Sequence, residues 1–245
     1  MKLGVIGGSG LYDLPGLSAV SQTQVMTAYG APSAAVTRGW LHDVELLFLP
    51  RHGPQHHLPP HQINYRANIA AFADLGVRTV IATAAVGGIE HAAGPGAIVI
   101  PHQVIDYTYG RAHTFFDGTQ AHPGHVDFTE PYSARLRAAL IAAATDAGIA
   151  VRTRGVYAAT QGPRLESAAE IDRLERDGCT IVGMTGMPEA ALARELELEY
   201  ANISLVVNAA AGRAPGSITL ADIERELTAG MGSIRAIIAA LTAHL

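Results

Sequence analysis

Polar side chains directly follow several apolar runs of this sequence. Ser9 lies in the glycine-rich stretch GVIGGSGL, Arg51 and His52 come after VELLFLP, and Asn208 ends the run YANISLVVN. Ligands of open α/β sheets bind at the ends of the strands, so these side chains are candidate binding groups. Arginine pairs with phosphate in a bidentate manner, and glycine allows backbone N–H groups to approach an anion closely. The types and positions of these residues therefore favour an anion site.

The glycine-rich stretch and the arginine also have simpler structural interpretations. GVIGGSGL fails the G-x-G-x-x-G spacing at Asp13 and has no P-loop lysine, so it indicates either an anion site or an ordinary tight turn. Arg51 and His52 could be a solvated surface pair, although the apolar run before them and Gly53 after them favour function.

Two further motifs carry candidate groups at predicted helix starts. Glu166 in TQGPRLES lies where the helix dipole favours a carboxylate, so a capping role explains it as well as a catalytic one. Met184 and Thr185 in VGMTGMPEAALA precede a helix that begins near Pro188, which is also consistent with ordinary N-cap chemistry. Spacing alone leaves both alternatives open.

Histidines cluster in two parts of the chain. They are His52, His56, His57 and His61, and the pair His122 and His125 in HPGHVD. Pro54, Pro59 and Pro60 prevent the first group from sharing one helix face, and no cysteine lies nearby. A zinc site requires three or four convergent ligands, so packing and hydrogen bonding are favoured and no metal is predicted.

Composition excludes several classes of function. The chain has 245 residues, of which 49% are hydrophobic, and a net charge of −5 at pH 7. This charge gives no reason to expect nucleic acid or an anionic membrane as a partner. The single cysteine, Cys179, fits a reducing compartment, and neither a signal peptide nor an apolar run of about 18 residues is present. A cytoplasmic protein is expected.

Apolar runs alternate with helical patterns along the chain. Strands are predicted at 2–6, 44–50, 78–86, 96–101, 180–184 and 200–208, and the run YAAT that leads into TQGPRLES is strand-like. Helices are predicted at 64–76, 133–148, 166–178, 187–198 and 219–245. This alternation predicts an α/β fold in which residues 1–245 form a single domain, with a central mixed, mostly parallel sheet flanked by helices. Residues 102–132 lack any period, which is typical of a functional loop or an interface.

Read in order, the motifs resemble one family along essentially the whole chain. They are IGGSGL, RHG with HQINYRAN, AAVGG, TQGPRLES, GMTGMPEA and the strand ending at Asn208. Together they resemble the trimeric purine nucleoside phosphorylases, in the branch that contains methylthioadenosine phosphorylases. The resemblance implies that inorganic phosphate, as co-substrate, attacks C1′ of a purine nucleoside and releases the free base. It further implies a homotrimer with sites at subunit interfaces, and no cofactor.

The resemblance also assigns roles within the site. Phosphate would be held by Ser9, Arg51, His52, the backbone at Ala84 and Ala85, and Thr185. Ala84 departs from the threonine of methylthioadenosine phosphorylases, so a contact there must come from the main chain. Met184 would pack against the ribose and the base. His52 and Asn208 are the predicted catalytic residues, since the leaving purine needs a hydrogen-bond donor at N7.

Two departures from the adenine-specific branch indicate the base. Asn208 replaces an aspartate in the run VNAAA, where Ala209 follows and Ala210 replaces a second acid, and Glu166 replaces a serine. A carboxamide can donate to both N7 and a 6-oxo group, whereas an ionised glutamate accepts from N1–H. Hypoxanthine and guanine carry these groups and adenine does not, so the resemblance implies a 6-oxopurine.

The 5′ side of the site is predicted to be apolar. No histidine occurs from Ala209 to Ala243, where members of the family that use inosine place one near the 5′-hydroxyl, while Ile218 and Leu220 are available. His125 lies in a loop that in this family reaches the neighbouring subunit. These features together imply S-methyl-5′-thioinosine as substrate.

Four alternatives to this reading remain. A general 6-oxopurine nucleoside phosphorylase is the nearest, and Asn208 and Glu166 oppose a methylthioadenosine phosphorylase. Outside the family, the histidines leave a metallohydrolase open, and the strand-end residues leave a non-catalytic nucleotide-binding module open.

Overall fold

The structure of this protein, a computed structural model, describes residues 1–116, 118 and 124–245. The strands are β1 (Lys2–Gly7), β2 (Ser18–Thr23), β3 (Val36–Leu41), β4 (Val44–Pro50), β5 (Thr79–Gly88), β6 (Ile98–Val99), β7 (Gln103–Asp106), β8 (Val156–Ala159), β9 (Ile181–Gly183) and β10 (Glu199–Ala209). The helices are α1 (Tyr65–Asp74), α2 (Ala134–Asp146), α3 (Ala168–Arg176), α4 (Gly186–Glu195) and α5 (Leu220–Leu241), with 3₁₀ turns at Pro60–Gln62 and Thr242–His244.

All of these strands belong to one sheet, in which β5 is the central strand. β1 runs parallel to β4 on one side and to β5 on the other, and β10 runs parallel to β5 along its far side. Because these four strands are parallel, their carboxyl ends lie at one edge of the sheet. β9 pairs with the last residues of β5, Gly87 and Gly88, and continues the sheet through β8 and β7. The polar residues that follow these strands are thereby brought together.

Helices cover both faces of the sheet. The side chains of Leu47, Leu49 and Val80 pack on the face that carries α1 and α4. Those of Leu46 and Ile81, next to them in sequence, pack on the opposite face against α2 and α5. Alternate residues of a strand point to opposite faces, so strands covered on both sides are mainly apolar along their whole length. This is why β1, β4, β5 and β10 could be recognised as apolar runs.

The predicted α/β class and the mixed sheet flanked by helices are confirmed, with corrections to individual strands. Five of the nine strand pairs in the described residues are parallel. The strand predicted at 96–101 is only two residues long, Ile98–Val99. Sequence reasoning missed β2, β3 and β7 because their side chains are largely exposed or half-buried, so they carry no apolar run. No helix in the described part of the chain is long and apolar enough to span a membrane.

Candidate functional site

A cavity of about 570 Å³ opens at the carboxyl edge of the sheet. Ten residues predicted for the site line it: Ser9, Arg51, His52, Ala84, Ala85, Glu166, Met184, Thr185, Asn208 and Ala210. They come from segments up to 201 positions apart, the separation of Ser9 and Ala210. Their convergence follows from the sheet order, which places the ends of β1, β4, β5, β9 and β10 around one opening.

The glycine-rich turn after β1 packs tightly against β5. The N–H of Gly8 donates to Oγ1 of Thr83 over 2.8 Å. A Cβ at Gly8 would lie 2.4 Å from the carbonyl oxygen of Thr83, so only glycine fits there. The Ser9 hydroxyl lines the cavity and makes no hydrogen bond within the described residues. The turn therefore leaves a free hydroxyl facing the space where an anion is predicted.

Arg51 is not a surface arginine, because its side chain is only 1% exposed. Its Nε and one terminal nitrogen bind both carboxylate oxygens of Glu189, and Nη1 donates to the carbonyl of Thr83 over 2.9 Å. Tyr200 donates its hydroxyl to the same carboxylate over 2.9 Å. Burial alone would lower the pKa of Arg51, but attraction to Glu189 and hydrogen bonding with it outweigh that effect and raise the pKa.

Glu189 is a positioning residue that sequence reasoning missed. Its side chain is 0% exposed and lies at the start of α4, in the segment read only as a helix beginning near Pro188. A carboxylate in the first helical turn is ordinarily explained by the helix dipole, so its position gave no reason to expect an arginine partner. By occupying one edge of the guanidinium, Glu189 fixes its plane and leaves the remaining N–H groups of the two terminal nitrogens for a ligand.

His52 is held as a neutral imidazole. Its Nδ1 lies 2.8 Å from the carbonyl oxygen of Leu58, which can only accept, so Nδ1 carries the proton and Nε2 is an acceptor. Burial, and to a smaller extent repulsion from Arg51, lowers the pKa of His52 to about 4. The centroid of its ring lies 4.4 Å from that of His56, with the two ring planes tilted by 32°. A neutral imidazole in the cavity can accept a hydrogen bond from a phosphate or ribose hydroxyl.

The depressed pKa of His52 predicts how stability depends on pH. Because His52 ionises at about 4 in the folded protein and near 6.5 when unfolded, its contribution to stability is complete above pH 6.5 and is lost as the pH falls toward 4. His52→Asn retains a donor for Leu58 but does not titrate. Between pH 7.5 and pH 5, wild type should lose about 2 kcal/mol more unfolding free energy than this variant. Urea unfolding at fixed protein concentration measures the difference, and equal losses would contradict the assignment.

Met184 and Thr185 follow β9 and have no capping function. Thr185 occupies the N-cap position of α4 without a side-chain capping bond, and its N–H donates to the hydroxyl of Tyr157 at 3.4 Å. Met184 lies against Gly162, where a Cβ would be 2.4 Å from its sulfur. Both line the cavity, so ordinary N-cap chemistry does not account for them.

Arg111 joins two of the segments that form the cavity. Its guanidinium donates to the carbonyls of Met184 at 2.8 Å and Met187 at 2.6 Å, and to that of Gln161 at 2.8 Å. It is 8% exposed and has no carboxylate partner in the described residues. Its only sequence signal was its place in the stretch 102–132, which lacks periodicity.

The hydrogen-bond partners of Glu166 and Asn208 could not be predicted from the sequence either. Ser167, in a capping box with Glu170, caps α3, so Glu166 is not the capping acid and instead accepts from the Thr160 hydroxyl at 2.6 Å. Asn208 lies at a register shift between β10 and β5, and its Nδ2 donates to the carbonyl of Ala209 at 2.8 Å. Such a bulge redirects a side chain at the end of a strand.

Several residues lie elsewhere than the sequence indicated. Ala209 lines an adjoining cavity, and in this chain His125 is exposed and does not line the site. Leu220 is 77% exposed, whereas Ile218 and Ile223 line the cavity, so the apolar wall comes from Ile223 rather than Leu220.

Two further histidines of the loop after β4 line the cavity. His56 and His57, which the sequence favoured as packing residues, line the cavity. His61 does not line it, and His122 lies outside the described residues. In the described ranges, no three His, Cys, Asp or Glu side chains are grouped so as to hold a metal ion.

Comparison with known proteins agrees with this geometry. The family model of the phosphorylase superfamily matches residues 2–243. A probable S-methyl-5′-thioinosine phosphorylase of Pseudomonas syringae pv. tomato is 55% identical over 96% of both chains. A 6-oxopurine nucleoside phosphorylase of Pyrococcus furiosus is 46% identical over 91% of this chain and 84% of its own.

A solved structure shares the fold over almost the whole length. Methylthioadenosine phosphorylase from Schistosoma mansoni, in complex with adenine, superposes with a TM-score of 0.95 at 32% identity, covering 99% of this chain and 91% of its own. With a family model that spans nearly every residue, relatives above 40% identity and a cavity at the expected edge of the sheet, the chain belongs to the phosphorylase superfamily.

Proposed function

We propose that this protein catalyses the phosphorolysis of S-methyl-5′-thioinosine to hypoxanthine and 5-methylthioribose 1-phosphate. The observation that carries the proposal is that the groups predicted to bind an anion and the two side chains predicted to select the base line the same cavity. The Pseudomonas relative, which is 55% identical, bears the name of this activity. The enzyme is then a pentosyltransferase that uses inorganic phosphate as co-substrate and needs no cofactor.

Phosphate binds to one side of the cavity in this proposal. Arg51 supplies N–H groups from a guanidinium fixed by Glu189, Ser9 and Thr185 supply hydroxyls, and neutral His52 accepts a phosphate O–H through Nε2. The nucleophile is phosphate itself, so the chain needs no activated serine or cysteine. Catalysis consists of positioning phosphate against C1′ and stabilising charge as the bond to the purine breaks.

The purine occupies the side of Glu166 and Asn208. The Asn208 amide has two N–H groups. One is bound to the Ala209 carbonyl, and the other is available to donate to N7 or to a 6-oxo group. Glu166 accepts from N1–H of a 6-oxopurine. Adenine would place an amino group against a donor and a lone pair against an acceptor, and each such mismatch costs about 1–3 kcal/mol.

A second candidate function differs from the first in the 5′ substituent of the substrate. Leu58, Ile218 and Ile223 give the cavity an apolar wall that suits a methylthio group. His56 and His57 line the same cavity, however, and an imidazole can hydrogen-bond a 5′-hydroxyl. This observation and the name of the Pyrococcus relative favour a general 6-oxopurine nucleoside phosphorylase as the alternative.

One assay separates these candidates. Release of free purine is measured from methylthioinosine, inosine and methylthioadenosine, each with and without phosphate. Phosphate-dependent release of hypoxanthine with the highest kcat/KM for methylthioinosine is the expected result. A higher value for inosine would favour the general enzyme, and a higher value for methylthioadenosine would contradict the assignment of the base. Release that is independent of phosphate would contradict phosphorolysis.

We further propose a cytoplasmic homotrimer in which His125 of one chain closes the site of its neighbour. The exposure of His125 in the single chain is compatible with such a contact. Light scattering should give the mass of three chains, and the mass of one chain would contradict the shared site. Cell fractionation tests the location.

A further inference from the structure

We infer that Thr160 is a specificity-determining positioning residue, which holds the Glu166 carboxylate as the acceptor for the N1–H of a 6-oxopurine. The inference rests on the proposed function and extends it, since it concerns how this chain keeps one carboxylate in place for one hydrogen bond. Sequence reasoning assigned no role to Thr160.

The backbone of Thr160 is fixed on both sides. Thr160 directly follows β8, and its N–H donates to the carbonyl of Gly183 over 2.8 Å. Its own carbonyl accepts from Arg111 at 3.3 Å, and the next carbonyl, of Gln161, accepts from the same guanidinium at 2.8 Å. The backbone that carries the hydroxyl is therefore positioned by the sheet and by a buried cation, independently of Glu166.

The hydroxyl is bound to the carboxylate rather than to the backbone. Oγ1 of Thr160 lies 2.6 Å from Oε1 of Glu166 but 3.3 Å from the carbonyl oxygen of Gly183. A distance of 2.6 Å is in the range of an O–H group that donates to an ionised carboxylate. Since a hydroxyl has one proton, this donation uses Oε1 and leaves Oε2 to accept from a ligand.

No cation takes over this role in the described residues. Arg164, two positions before Glu166 in the sequence, is paired with Glu170, and both of its terminal nitrogens lie 2.8 Å from the carboxylate oxygens of Glu170. Glu166 forms no ion pair with any described Lys or Arg, and Thr160 is its one hydrogen-bond partner among them. The orientation of Glu166 therefore depends on a neutral donor and not on an ion pair.

A pair of substitutions at Thr160 tests the inference. Thr160→Val keeps the shape but removes the hydroxyl, and Thr160→Ser keeps the hydroxyl. We expect Thr160→Val to lower kcat/KM for methylthioinosine about tenfold or more, with little change for methylthioadenosine, since only the former needs the acceptor. The KM for phosphate should stay within about twofold, and Thr160→Ser should retain the preference for the 6-oxopurine.

Binding of free bases makes the test independent of turnover. Calorimetry with hypoxanthine and with adenine, in the presence of phosphate, should show that Thr160→Val selectively weakens hypoxanthine. If wild type prefers hypoxanthine but releases no base from nucleosides, the proposed function fails while this comparison still decides the role of Thr160. The inference would be overturned if Thr160→Val left the ratio of the affinities for hypoxanthine and adenine unchanged. It would also be overturned by an equal loss of affinity for both bases together with a raised KM for phosphate.

Discussion

Replacing Arg51 with lysine is expected to lower kcat/KM for phosphate about 10²-fold while changing the KM for the nucleoside little. Lysine retains the positive charge opposite buried Glu189, so the large cost of an unpaired carboxylate is avoided. An ammonium group lacks the planar fork, however, and cannot pair with both oxygens of Glu189 while also presenting N–H groups to phosphate. Initial rates over a range of phosphate concentrations, at saturating nucleoside, measure the effect.

The chain provides a matched control for this substitution. Arg135 binds Glu199 through Nε and a terminal nitrogen, as Arg51 binds Glu189, but its side chain is 50% exposed and does not line the cavity. Arg135→Lys should leave the dependence on phosphate unchanged. Similar phosphate kinetics in Arg51→Lys and Arg135→Lys would show that Arg51 does not bind phosphate.

The double substitution Asn208→Asp with Glu166→Ser should reverse the preference between bases. A protonated aspartate can donate to N7, an ionised one can accept from a 6-amino group, and serine removes the acceptor that faces the lone pair at N1. Two mismatches of about 1–3 kcal/mol each predict a change in the ratio of kcat/KM, methylthioinosine over methylthioadenosine, of about 10²- to 10⁴-fold. Both substrates are compared at saturating phosphate.

The single variants complete a double-mutant cycle. Because Glu166 and Asn208 contact the same base in this proposal, their effects on the ratio should not simply add. A double variant that keeps the preference of wild type would refute the assignment of these two residues. An unchanged phosphate KM in all three variants would confine the effect to the base, since Arg51 and His52 are untouched.

The buried framework of the fold could be predicted well. β1, β4, β5 and β10 are covered on both faces, so each is a mainly apolar run, and the exposed edge strand β2 is not. The five predicted helices lie close to the observed ones, because caps such as Ser133 and glycines such as Gly148 mark their ends. Local chemistry is sufficient for such boundaries.

The partners of the site residues could not be predicted. Arg51 and Glu189 are 138 positions apart, and neither the run before Arg51 nor the helix start at Glu189 indicates the other. The contacts of Arg111 with Met184 and Gln161 likewise cross segments that share no pattern. Residues adjoining different strands meet because of strand order, and strand order is not recorded in local spacing.

By itself, the sequence determined the chemistry available to this protein. It identified the apolar strands and the polar residues at their ends, and its resemblance to a known family marked Asn208 and Glu166 as the residues predicted to select a 6-oxopurine. Only the tertiary structure decided how those groups are held: Arg51 by Glu189, His52 as a neutral imidazole by Leu58, and Glu166 by Thr160. The physical reason is that residue type sets which hydrogen bonds and charges are possible, whereas burial and strand order select the ones that form.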